Sequence, residues 1–188
     1  MNEYVTSPAT PQNEPLVRRL ADAAADEREA YAHGTPRPLG SYGIILGVYS
    51  ASTAALALLV RRRRRTGTAL PERVPWADLA LLSMATHRLS RLITKDSVTA
   101  VVRAPFTRFD EPAGDGEVNE EVRGTGLRHA VGELLTCPFC SAQWIATGFA
   151  FGLVLAPRAT RFAAAVLTAV TASDWLQFAH SALQKTEE

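Results

Sequence analysis

Four apolar windows alternate with polar stretches along this chain of 188 residues. Leu39 to Val60 runs 22 residues without a charged side chain and stops at five consecutive arginines, Arg61 to Arg65. At about 1.5 Å per residue such a run crosses a hydrocarbon core of roughly 30 Å, and the arginine block cannot follow it in. The pattern predicts a membrane helix with its interfacial anchor. Trp76 to Ile93 begins in the same way, with Leu79, Leu81, Leu82 and Met84, but carries His87, Arg88 and Arg91 in its second half. It reads as a marginal span, crossing or re-entrant, whose arginines snorkel to an interface. Pro138 to Ala156 is uncharged, with Pro138 suited to a helix start and Trp144 to a headgroup boundary. Phe162 to Leu183 is broken by Asp174 and His180. A connection of about five residues makes these last two windows an antiparallel hairpin.

The windows predict an all-α, polytopic membrane protein of about four transmembrane helices, with an interfacial loop or helix between spans two and three. Its parts are a polar tail over 1–38, a first span with its arginine anchor over 39–65, and a three-helix domain over 75–183 with a central loop over 94–133. Within the tail, Glu14 to Tyr31 suits either an amphipathic helix, with Leu16, Leu20, Ala23 and Ala24 on one side, or a solvated segment. No cleavable signal peptide is evident, because the first apolar run lies behind ten charged side chains and exceeds an h-region of about 7 to 15 residues.

Composition hides this organisation. With 47% hydrophobic residues, 20 Lys and Arg against 19 Asp and Glu, and a net charge of +1, the averages would suit a soluble domain. The positive charges also leave orientation open: ten flank one end of the spans and eight the other, the eight including the arginine block.

Candidate chemistry begins in the second window. Ser83, His87, Ser90 and Thr94 form a polar stripe at helical spacing, with Arg88, Arg91 and Lys95 as a basic stripe beside it. The basic stripe suits an anionic lipid headgroup, an intramembrane carboxylate or simply the water interface. Asp174, central in the last window, is the carboxylate to expect opposite Arg88 or Arg91, unless the helix ends near Ser173 and Asp174 caps a following turn. In the central loop, Val98, Val101, Val102, Phe106 and Phe109 interleave with Arg103 and Arg108, as in a segment lying in the interface. Asp110 to Glu121 holds six carboxylates and reads as a solvated loop without a calcium-loop ligand pattern.

The two cysteines form Cys137-Pro138-Phe139-Cys140 at a predicted helix start. Three readings stand: structural cysteines or a disulfide, a redox pair with Cys137 attacking and Cys140 resolving, or a metal site with His129 as a further ligand. The redox reading lacks a βαβ setting, and the metal reading lacks a complete ligand spacing. No phosphate loop, nucleophile elbow, zinc-helix motif or repeat is present.

Several motifs occur in order from Ala85 onward: ATHRLSRLITKD (85–96), VRAPFTRF (102–109), and RGTGLRHAVGELLTCPFCSAQW (123–144), which contains Glu133 and Trp144. With the Ala-rich final hairpin they resemble the bacterial membrane-protein family catalogued as domain of unknown function 1360, which includes sporulation-associated proteins of bacilli. The resemblance covers about residues 75–182 and leaves out the first span. It implies a multi-pass protein of the bacterial cell membrane and brings no biochemical activity with it.

The resulting expectation is a non-enzymatic bundle that scaffolds, senses or contacts lipid. Arg88, Arg91, Arg103, Arg108, Glu133, Trp144 and Asp174 are its structural or interaction residues. Expected partners are the bilayer, anionic lipid headgroups, and another membrane protein or a second copy, with no cofactor and no nucleic acid. The alternative is a membrane-embedded thiol redox or metal protein using Cys137 and Cys140.

Overall fold

The computed structural model describes residues 15–34, 37–65, 67 and 73–185. Of the polar tail, residues 1–14, 35 and 36 lie outside this set. Helix α1 (Leu16–Ala32) stands as a unit of its own, begun by Pro15 and ended at His33, whose φ of 45° is left-handed. Its apolar residues Leu16, Val17 and Leu20 are exposed.

The second unit holds α2 (Leu39–Arg65), α3 (Trp76–Thr94), the short α4 (Ala100–Arg103), strands β1 (Thr107–Gly114) and β2 (Glu117–Val122), α5 (Gly126–Thr136), α6 (Pro138–Leu155) and α7 (Pro157–Gln184). The chain is mostly helical. Helices α2, α6 and α7 are each long and apolar enough to cross a membrane. Helix α3 does not join them by composition, because its 19 residues include Asp78, Arg88 and Arg91.

Side chains are distributed inside out relative to a water-soluble core. Apart from Val60, the buried positions are small or polar, among them Ala85, Ala130, Ala164, Ser90, Thr94, Ser141 and Thr171, while Ile44, Leu46, Phe162, Trp175, Leu176 and Phe178 face outward. Helices in lipid pack in this way, since small residues let backbones approach and large apolar ones lose nothing by facing acyl chains.

Helices α3 and α7 run parallel, because their contacts advance together: Asp78 with Arg161, the Leu81 carbonyl with Thr168, and Arg88 with Asp174. Helices α6 and α7 form the expected antiparallel hairpin around Ala156. There Gly152 allows a close approach, since a Cβ would stand 2.7 Å from Thr160 Oγ1.

Two expectations are corrected. The acidic stretch is not a plain loop but an antiparallel hairpin, in which Arg108 pairs with Glu121 and Phe109 with Glu120. Its turn is Asp115-Gly116, with Gly116 at φ 78°, a conformation glycine adopts without steric cost. The last part of the central loop expected over 94–133 is also helical, from residue 126 to residue 136. This is α5, and Cys137 separates it from α6 in an extended conformation (φ −100°, ψ 105°) because the ring of Pro138 disfavours the helical region for the residue before it.

Candidate functional site

The polar centre of the molecule is built where the C-terminal half of α3 meets α4 and the hairpin. Arg103 is fully buried and spends all five guanidinium N–H groups. Nε and Nη2 donate to the Glu120 carboxylate at 2.6 and 3.2 Å, Nη1 donates to the Ile93 carbonyl and Thr99 Oγ1 at 2.8 Å each, and Nη2 also donates to the Asp96 carbonyl at 2.9 Å. One cation therefore ties the end of α3, the start of α4 and strand β2 together.

Around it, every basic side chain of the central segment has an internal partner. Arg91 makes a two-point pair with Glu117, Lys95 donates to Asn119, and Arg108 pairs with Glu121 across the hairpin. Arg123 donates to the Ala104 carbonyl, and Arg128 to that of Pro105. The backbone repeats the pattern, with Ser97 N–H donating to the Gly116 carbonyl and Val118 N–H to that of Lys95. Glu117, Glu120 and Glu121, which the sequence presents as part of a solvated acidic run, are counter-charges to Arg91, Arg103 and Arg108.

Above this platform lies a cavity of about 650 Å³, between the second half of α3, the hairpin turn and the second half of α7. Arg88 and Asp174 stand in its wall, 3.5 Å apart. Asp174 lies within a helix that continues to Gln184, so it caps no new turn. His87 lines the same cavity. At the other end of α3, Asp78 accepts two hydrogen bonds from Arg161, at 2.8 and 2.7 Å. The sequence reading missed this pair, although an Asp in the first turn of one helix and an Arg near the start of another is a signal that an expected bundle makes visible.

Glu133 and Trp144 face α2. Tyr42 donates to Glu133, Tyr49 shares a hydrogen bond with Thr147 and receives one from Gln143, and the rings of Tyr49 and Trp144 meet edge to face at 5.0 Å. Cys137 and Cys140 form a disulfide with Cα atoms 5.3 Å apart, at the junction of α5 and α6. His129 is not brought to them; it lies 3.4 Å from Glu133, one turn along α5. Among the described residues no three His, Cys, Asp or Glu side chains gather as a metal site, so the metal reading of Cys137, Cys140 and His129 has no ligand set.

Comparison with known proteins adds a name to this architecture. A family model described as "Protein of unknown function (DUF1360)" matches residues 81–180. Sporulation protein YjcA of Bacillus subtilis (strain 168) is 33% identical over 87 residues, which cover 45% of this chain and 74% of that protein. No solved structure matches.

Proposed function

This chain belongs to the DUF1360 family, and from that premise we propose that it is a non-enzymatic integral membrane bundle, a scaffold whose polar end meets lipid headgroups. Helix α3 acts as the fourth span beside α2, α6 and α7, and α4 with the hairpin forms the interfacial element between spans two and three. The observation that carries this reading is the pairing of charges between elements. Asp78, Arg88, Arg91, Arg103, Arg161, Glu117, Glu120 and Asp174 all stand in pairs that join one element to another. Charges placed in this way hold helices in register in a medium that penalises an unpaired ion.

Support for α3 as a span comes from its neighbours. It packs along α6 and α7, both apolar enough to cross, and its 19 residues extend about 28 Å. Support for an interfacial element comes from Val98, Val101, Val102 and Phe109, which are exposed on α4 and β1 and its approach. The basic residues of that element are internally paired, which favours headgroups approached by shape and mixed charge over a purely anionic surface. Alkaline carbonate extraction of membranes from cells making the full chain tests the reading. The protein is expected in the pellet, and recovery in the soluble fraction would overturn it.

A further inference from the structure

The cavity beside Arg88 is lined by charged groups of both signs. Of the charges lining it, Arg91 and Glu117 satisfy each other, and the Asp96 carboxylate accepts from the Val98 N–H at 2.9 Å. The loose Arg88–Asp174 pair and the Asp115 carboxylate complete the charged lining. Among the described residues Arg88 makes no hydrogen bond, only its 3.5 Å approach to Asp174, and its side chain is 25% exposed. Its guanidinium has donors to spare, in the fork geometry that suits a phosphate. Outside the Arg91–Glu117 pair, the carboxylates of Asp96, Asp115 and Asp174 face the single cation Arg88 and leave the space net negative, which opposes a purely anionic ligand. A simple cation would in turn leave the donors of Arg88 unused.

A group carrying both signs answers both conditions. We propose that this cavity holds a zwitterionic aminophosphate, the chemistry shared by an ethanolamine phospholipid headgroup and free phosphoethanolamine. The phosphate sits on Arg88 and the ammonium between Asp115 of the hairpin turn and Asp174 of α7. Trp175 and Phe178 line the same cavity and are exposed, so a ring face is at hand for the ammonium and an apolar path leads to the outer face of α7. The volume of about 650 Å³ lies within the range of small-molecule sites.

The inference rests on the membrane-bundle reading, and its test separates the two. Full-length protein in neutral detergent is offered phosphatidylethanolamine or phosphatidylglycerol, with retained lipid read by native mass spectrometry, and separately soluble phosphoethanolamine, with binding read by calorimetry. Selective retention of phosphatidylethanolamine assigns a lipid source, and binding of the soluble compound alone assigns a free one. Either should fall about tenfold in Arg88→Gln and in Asp115→Asn, the value of one charge-assisted hydrogen bond, and stay unchanged in Arg108→Gln. Asp115 lies at an exposed turn, so its variant remains informative if loss of Arg88 disturbs folding. Equal retention of phosphatidylglycerol, no binding of either aminophosphate, or indifference to Asp115→Asn overturns the proposal. Carbonate extraction of the same variants then shows whether the cavity reading alone has failed or the membrane reading with it.

Discussion

Asp174 of α7 lies 3.5 Å from Arg88, while the guanidinium of Arg91, one turn further along α3, is taken by Glu117 of the hairpin. Two arginines that are neighbours on one helix face therefore serve different elements. In a double-mutant cycle on thermal stability in detergent, Arg88→Gln and Asp174→Asn should be non-additive, whereas Arg91→Gln and Asp174→Asn should add. The pair Asp78→Asn and Arg161→Gln should also be non-additive, since those side chains make two hydrogen bonds to each other. Additivity of Arg88→Gln with Asp174→Asn would remove the ion pair as a link between α3 and α7.

Arg103 is predicted to tolerate no conservative exchange. Lysine has three donors on a point charge and cannot reach Glu120, Thr99 and two carbonyls at once. Lysine keeps the charge, so Arg103→Lys should cost about 1 to 3 kcal/mol for each buried acceptor that its smaller donor set leaves unpaired. Unfolding in detergent followed by helical circular dichroism measures it, and a loss under about 1 kcal/mol, the level of an exposed pair, would contradict the buried network.

Gly132 of α5 packs against the end of the hairpin. An added Cβ would stand 2.6 Å from Val122 Cγ1 and 3.0 Å from the Phe106 carbonyl oxygen. Gly132→Ala should destabilise the protein by about 1 to 3 kcal/mol through overpacking, even though alanine is the better helix former. Limited proteolysis within 107–122 should accelerate in this variant, and unchanged cleavage would mean that α5 does not support the hairpin.

The sequence made the long helices legible because each is dominated by one apolar run, interrupted only in the last by Asp174 and His180. The apolar window read as Pro138 to Ala156 is a helix over Pro138–Leu155, and that read as Phe162 to Leu183 lies inside the helix Pro157–Gln184. The hairpin was hidden by its composition. Strand β2, Glu117–Val122, carries three glutamates whose destination is the arginines of other elements, and such long-range pairing leaves no local periodicity. The Asp115-Gly116 turn was the available signal, outweighed by six carboxylates that suggest solvent. The break at Cys137 was likewise present in the following proline but was masked by the continuous apolar character of Leu134 and Leu135. The partner of Asp174 was narrowed to two arginines by spacing, and only the fold distinguishes them.

The burial of Arg103 has a consequence for the order in which the chain assembles. Its counter-charge, Glu120, follows it by 17 residues and reaches it only once β2 lies against α3. Until then a closed α4 would enclose a cation with carbonyls and one hydroxyl but no anion. The closing of α4 and the docking of the hairpin should therefore be coupled, with that arginine left in water until Glu120 arrives.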